Sequence, residues 1–260
     1  MSVPRRVTAT RYVTPLREGG SLPGLVEGDD DGMYVCKFRG AGQGPRVLVA
    51  EMIVGRTAQG LGLPVPELVV LHLDDALGRA EPDPEIQALM RASTGLNLGM
   101  DFLPGALGWD PSGRDPVDAD TAAEVVWLDA FALNVDRTPR NPNLLVWHGR
   151  TWLIDHGAAL YPQHADWALT GAEDRTLPDV GAHVLLRLAS SVADADARLV
   201  PRCTDALLRD AVDAVPEEWL QDEPGVAPAA RREAYLRFLT ARRDGPRAFA
   251  REAEVARAAR

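Results

Sequence analysis

A polar loop at residues 134–143, reading NVDRTPRNPN, limits the choice of fold more than any other segment. It holds three of the four asparagines of the chain, and a short hairpin pattern, LLVW and TWLI around a turn, follows it before Asp155. A strand of about four residues spans roughly 13 Å. Its antiparallel partner covers the same distance in the opposite direction, so the chain returns to the end of the hairpin where it began. We therefore expect Asn141 and Asp155 to lie side by side at one end of the hairpin.

Asn141 and Asp155 would together offer an amide oxygen and a carboxylate, which are hard oxygen ligands that Mg²⁺ accepts alongside water and phosphate. Asp136 lies five residues before Asn141, and a carboxylate in that place can orient an attacking hydroxyl and accept its proton. The loop could instead be a surface turn, because Asn, Asp and Pro are common turn residues. The ordered set of loop, hairpin and Asp-x-Gly favours chemistry over a turn.

Lys37 is the only lysine among 28 basic residues, and it lies near the end of the apolar run MYVCKF, where a cation must reach solvent or find an anion. A compact ammonium suits a confined phosphate pair better than a planar guanidinium does. Glu51, in the predicted helix that follows, is the natural carboxylate to hold Lys37, although it could also be an exposed helix residue. The turn Gly19-Gly20-Ser21 could cover phosphates with its amides, or be an ordinary hairpin turn.

The charge balance argues against a nucleic-acid-binding protein, because the formal net charge is −10 and phosphate contacts need a basic face. No apolar run is long enough to span a bilayer, and the N-terminus lacks the apolar segment of a secretory signal. Cys36 and Cys203 are expected to be reduced thiols in the core. We therefore expect a cytoplasmic protein with no membrane span.

The first half of the chain predicts a β-rich unit with one helix. Short apolar runs bounded by turn residues are typical of strands, and apolar residues three or four apart are typical of a helix. We expect antiparallel strands within residues 7–38, a helix over 45–62 docked on that sheet, and a further strand over 66–74. An amphipathic stretch at 86–90 and an apolar segment at 96–105 follow.

The second half predicts mainly helices. We expect a helix over about 121–133, then the hairpin, and helices from residue 180 onward. Residues 106–120 are rich in Gly, Pro and Asp and are expected to form a solvated loop. The fold class is therefore α+β with two lobes, a small β-rich lobe at 1–100 on the nucleotide phosphate side and a mainly helical lobe at 101–260 with the catalytic loop and metal site.

These residues together resemble the HipA-like kinase domain, itself similar to type II phosphatidylinositol 4-kinases and more distantly to protein kinases. The resemblance runs from about residue 10 to 220, and its most specific part is the Asp-Arg-Thr-x-x-Asn-x-Asn loop. It implies a bilobal protein kinase-like fold and an enzyme that uses ATP and Mg²⁺ to transfer the γ-phosphoryl group to a hydroxyl acceptor on a protein or small molecule.

Carried over by position, the resemblance implies a role for each candidate residue. Lys37 would bind the α and β phosphates and pair with Glu51, while the 19–21 turn would also lie on the nucleotide. Asp136 would be the catalytic base, and Asn141 with Asp155 would bind Mg²⁺.

Two departures limit what carries over. Val135 stands where protein kinases have arginine, and His156 where they have phenylalanine, so control by an activation loop of the eukaryotic kind is not implied. Arg137 is expected either to touch phosphate or to hold the loop through a carboxylate such as Asp129.

AMP transfer on the same fold and a catalytically weak nucleotide-binding scaffold are the alternative functions. The acceptor is expected to contact variable loops such as 105–120 and 161–178. The sequence identifies neither this acceptor nor an oligomeric state.

Overall fold

The structure is a computed structural model that describes residues 2–16, 22–42, 44–79, 81–112 and 117–260. Within these ranges it contains a five-stranded sheet, a three-stranded sheet and eight α-helices. The predicted mixture of α and β elements is therefore confirmed.

The first sheet closes into a barrel. Its strands in chain order are β1 (Arg6–Pro15), β2 (Gly24–Gly28), β3 (Met33–Lys37), β4 (Leu68–Leu73) and β5 (Gly95–Asp101). Around the barrel the order is β1-β2-β3-β5-β4, and β1 pairs in parallel with β4 to close it. The expectation of an antiparallel sheet is therefore wrong at the β1–β4 pair.

β1 reaches two neighbours because it is long and irregular. Its first residues, Arg6–Thr8, pair with β4, while the stretch from Ala9 to Pro15 pairs with β2. The register shifts twice along the β2 pairing, and such irregularities bend a strand and increase its twist. The bend lets one strand serve both neighbours, and closing the sheet removes open edges.

Alternation along β3 separates the barrel core from the candidate site. Tyr34 and Cys36 are buried in the barrel interior, where they pack with residues such as Val26 and Leu71. Successive side chains of a strand point to opposite faces, so Lys37 lies on the outer face.

Helix α1 (Pro45–Leu61) lies against that outer face and is buried along most of its length. Pro45 begins it, since the first helical position needs no backbone donor, and Gly62 ends it in the left-handed region at φ +86°. The helix is buried nearly all round because protein encloses it. Glu51, at its middle, is fully buried.

The other helices lie mainly in the second half of the chain. They are α2 (Asp75–Arg79), α3 (Pro84–Ala92), α4 (Ala119–Ala132), α5 (Val192–Leu199), α6 (Asp205–Asp213), α7 (Pro228–Asp244) and α8 (Ala248–Ala258). Short 3₁₀ helices lie at Tyr161–His164, Val180–Ala182 and Glu217–Leu220. α1 packs against α6 and the last of these, while α4 packs against α5, α7 and α8.

The second sheet contains the predicted hairpin. β7 (Leu144–Trp147) and β8 (Arg150–Leu153) pair antiparallel, which confirms the hairpin. A two-residue strand, β6 (Leu107–Gly108), covers the free edge of β7. The expectation of a structureless loop over 106–120 is therefore wrong at β6 and at Ala119, where α4 begins after the capping residue Asp118.

One buried apolar cluster runs from α1 through α4 to α8. α1, which the sequence assigns to the first lobe, therefore shares its core with the helices of the second, and the division at residue 100 stays a prediction. Cys36 and Cys203 are free and buried, as expected. Among the described helices, none combines the length and the apolar character needed to cross a membrane.

Candidate active site

Three segments meet at the amine of Lys37. β3 presents Lys37 toward α1, α1 carries Glu51, and Asp155 follows the last residue of β8 by two positions. Lys37 Nζ lies 2.8 Å from Glu51 Oε2 and 2.7 Å from Asp155 Oδ1. The single lysine of the chain thus bridges two carboxylates that come from distant parts of the sequence.

The buried charges of Lys37 and Glu51 stabilise each other, and Asp155 adds to the stabilisation of Lys37. Burial alone would lower the pKa of Lys37, but the charges of Asp155 and Glu51 outweigh it and raise that pKa. Burial alone would raise the pKa of Glu51, but the Lys37 charge and the nearby His156 ring hold it well below its usual range. His156 Nδ1 lies 3.4 Å from Glu51 Oε1. Both shifts favour the charged pair, with Lys37 protonated and Glu51 ionised.

Asp136 lies half-buried on the loop that follows α4, with amide groups on one carboxylate oxygen. Its Oδ2 accepts hydrogen bonds from Asn141 Nδ2 at 2.6 Å and from Asn143 Nδ2 at 3.5 Å. Burial raises the pKa of Asp136, and the negative charge of Asp155 adds to the rise, while the two amides oppose it. The carboxylates of Asp136 and Asp155 are therefore close enough to interact through their charges.

Arg137 anchors this loop to the interior of the protein. Its side chain is buried, with Nε 2.5 Å from Asp129 Oδ2 and Nη1 2.5 Å from the Asn143 carbonyl oxygen. Asp129 also accepts a hydrogen bond from Asn134 and lies 2.9 Å from His183 Nε2. Of the two expectations for Arg137, the structure shows the contact with Asp129.

The hairpin returns the chain to the loop, as its register requires. Ile154 N donates to the Asn143 carbonyl, and Asp155 follows with φ +57°, an uncommon value for a residue other than glycine. Asn141 contacts Asp136 through its amide, and Asp155 contacts Lys37. The structure gives no direct contact between Asn141 and Asp155, so their joint role stays a prediction.

Sequence reasoning did not single out Asn143 as a site residue. Its amide reaches Asp136 while its carbonyl belongs to the hairpin register, so it joins the two halves of the site. Asn143 lies immediately before β7, and this position indicates a site residue only once the pairing of β7 with β8 is known.

Residues 10–236 match the sequence model of the HipA-like kinase family. The chain belongs to that family. No curated protein matches the sequence significantly.

Two solved structures align with this HipA-like kinase over most of its length. The crystal structure of CtkA, a Helicobacter pylori proinflammatory kinase, aligns with a TM-score of 0.60 at 12% identity, covering 98% of this chain and 99% of that one. The Golgi casein kinase with Mn and ADP bound aligns with a TM-score of 0.48 at 12% identity, covering 92% of this chain and 74% of that one. The likeness to CtkA shows a shared fold.

A small cavity of about 50 Å³ in this HipA-like kinase has Lys37 in its wall. Phe38, Val47, Leu48 and Asp155 contribute to its walls. The turn Gly19-Gly20-Ser21 lies outside the described residues, so its contact with phosphates stays a prediction.

The donor set at the end of the hairpin fits a divalent cation. The Asp155 side chain is 45% exposed, and Asn141 is exposed on the loop. Asp155 and Asp136 repel each other, and a cation near both would relieve that repulsion. Among the described residues, no group of three or more His, Cys, Asp or Glu side chains is placed to hold a metal ion.

Proposed function

We propose that this HipA-like kinase transfers the γ-phosphoryl group of ATP to a hydroxyl acceptor with the help of Mg²⁺. The observation that carries the proposal is the position of Lys37 Nζ between Glu51 and Asp155, with Asp136 near enough for its pKa to respond to Asp155. A confined ammonium held by a buried carboxylate is suited to bind phosphate oxygens.

Each side chain has a distinct role in the proposal. Glu51 remains ion-paired with Lys37. The α and β phosphates of ATP bind to the side of the ammonium that contacts Asp155 in this structure. Asp155 and Asn141 would hold Mg²⁺ through a carboxylate and an amide oxygen. The metal would neutralise charge on the phosphates as it develops.

Asp136 would act as the base. The acceptor oxygen forms a bond to the γ phosphorus while the bond from that phosphorus to the β–γ bridging oxygen breaks, so that ADP leaves. The acceptor proton passes to the carboxylate of Asp136. Its raised pKa makes it a stronger base than an ordinary carboxylate, and the amides of Asn141 and Asn143 fix its orientation.

The acceptor would approach along the catalytic loop. Two cavities include residues of this loop in their walls. One, of about 470 Å³, is lined by residues that include Trp109 and Pro139. The other, of about 200 Å³, is lined by residues that include Val135 and Leu177. Trp109 belongs to the predicted acceptor loop at 105–120 and Leu177 to the one at 161–178, while most of the walls come from the catalytic loop and residues 179–188. Both cavities are large enough for a side chain or small metabolite.

The experiment uses the full chain with Mg²⁺ and ATP labelled at either the γ or the α position. We expect covalent label in the acceptor fraction from γ-labelled ATP, and a loss of about 100-fold or more in Asp136→Asn and Lys37→Met. The matched control is Arg243→Gln, which removes an ion-paired side chain on α7.

Two results would contradict phosphoryl transfer. Label transferred from the α position would mean AMP transfer. Stabilisation of the fold by ATP and Mg²⁺ with no transfer to any acceptor would mean a binding scaffold.

A further inference from the structure

We propose that Arg46 is a positioning residue, which fixes α1 so that Glu51 stays paired with Lys37 without an activating partner. Its effect on catalysis rests on the proposed phosphoryl transfer. Its effect on the Lys37–Glu51 pair does not, so the two parts can fail separately.

Arg46 lies in the first turn of α1 and uses all three guanidinium nitrogens. Nε lies 2.5 Å from Asp222 Oδ2, and Nη2 lies 2.6 Å from Glu223 Oε2. Nη1 donates to the Gln163 carbonyl oxygen at 2.6 Å. In return, Gln163 Nε2 donates to the Arg46 carbonyl at 3.2 Å. The start of α1 is thus held by two segments far along the chain.

The contacts close into a ring. Arg231 Nη1 lies 2.6 Å from the other Asp222 oxygen, and Arg231 Nη2 donates to Tyr235 Oη at 3.1 Å. Tyr235 Oη donates to Gln163 Oε1 at 2.7 Å, which leads back to Arg46. Gln163, Arg231 and Tyr235 are fully buried. Hydrogen bonds in such a low-dielectric setting strengthen one another, and losing one member leaves others unpaired.

A second contact fixes the same turn of α1 at the site itself. A Cβ added to Gly157 would lie 2.5 Å from Val47 Cγ1, so α1 rests directly on the Asp155-His156-Gly157 turn. Val47 is next to Arg46 and one helical turn before Glu51, so it shares a face with Glu51. The ring and this contact together set α1 against the segment that carries Asp155.

The positions of both partners of Lys37 therefore depend on α1. Glu51 is placed by α1, and Asp155 is placed by the turn on which α1 rests. Gln163 lies six residues after Gly157 and joins the ring. The Lys37–Glu51 pair therefore forms as part of the fold and does not require an activating partner.

The test uses the fact that Lys37 is the only lysine. An amine-acetylating reagent then modifies Lys37 and the N-terminal amine, and the N-terminal amine serves as the internal reference in peptide mass spectrometry. We expect Lys37 in Arg46→Gln to react about tenfold faster than in the wild type, because α1 is released and Glu51 withdraws from the amine.

Arg243→Gln is the matched control. Its side chain is 11% exposed and that of Arg46 is 16% exposed, and it is equally ion-paired, but to Asp205 and Asp244 rather than through α1. We expect its Lys37 to react at the wild-type rate. If Arg46→Gln fails to fold by thermal melting, the same comparison is made with Glu223→Gln, whose side chain lies at the edge of the ring. Equal reactivity of Lys37 in variant and wild type would overturn the proposal.

A double-mutant cycle separates positioning from general destabilisation. Arg46→Gln should lower kcat about tenfold in the wild type but less than twofold in a Glu51→Gln background, since Arg46 acts through Glu51. An equal loss in both backgrounds would overturn the positioning role. If the wild type transfers no phosphoryl group, the proposed function fails while the acetylation result still decides the role of Arg46.

Discussion

Lys37 shows what one residue does in this molecule. It is the only lysine of the chain, its side chain is 10% exposed, and it faces two carboxylates within 2.8 Å. Glu51 is fully buried and depends on this cation for its own charge. The residue thus contributes to the fold through Glu51 and, in our proposal, to phosphate binding through the side that faces Asp155.

Lys37→Met is expected to destabilise the protein as well as inactivate it. Removing one partner of a buried ion pair leaves the other charge uncompensated, which lowers the free energy of unfolding by about 3 kcal/mol. The double variant Lys37→Met with Glu51→Gln removes both charges and should recover most of that loss. Urea denaturation of the three proteins measures the difference. Equal stability of the single and double variants would contradict the dependence of Glu51 on Lys37.

At the scale of elements, the sequence predicts local structure well. The strands around Tyr12, Val26 and Cys36, the end of α1 at Gly62, and the hairpin before Asp155 all follow from alternation and turn residues. Such signals lie within a few residues of one another, so neighbouring side chains suffice to read them.

Contacts between distant elements could not be predicted in this way. The parallel pair of β1 and β4 depends on bends within β1, and Arg46 meets Asp222 across most of the chain. An arginine at the start of a helix gives no sign of which carboxylate it will find. The same holds for Arg137, for which the sequence left phosphate and Asp129 as alternatives.

The contact between α1 and the Asp155 turn explains why residue 157 is glycine. Gly157→Ala would place a methyl group 2.5 Å from Val47 Cγ1, so one of the two elements must move. We expect a loss of about 2 kcal/mol in stability from this overpacking, with at least a tenfold loss of phosphoryl transfer. Thermal melting and initial rates measure the two effects.

Val47→Ala supplies the matched suppressor for this change. Shortening the side chain at 47 makes room for the methyl group at 157. The double variant should therefore recover activity relative to Gly157→Ala alone. No recovery would mean that the glycine is required for a reason other than its contact with α1.

At the scale of the whole molecule, the site is assembled from four separate places. Lys37 comes from the barrel, Glu51 from α1, Asp136 from the loop after α4, and Asp155 from the end of the hairpin. The apolar cluster that α1 shares with the later helices joins these places into one structure. Membership of the HipA-like kinase family and the fold shared with CtkA agree with this assembly.

The most direct test of the account is to ask where the triphosphate of ATP binds. An acyl phosphate ester of ATP carries an activated acyl group at its terminal phosphate, and an amine beside the phosphates attacks that acyl carbon, forming an amide and releasing ATP. Because the chain has one lysine, peptide mass spectrometry assigns any acylated lysine side chain to Lys37. We expect acylation of Lys37 that excess ATP with Mg²⁺ suppresses. An unmodified Lys37, or a modification that ATP fails to suppress, would mean that the phosphates do not bind at Lys37.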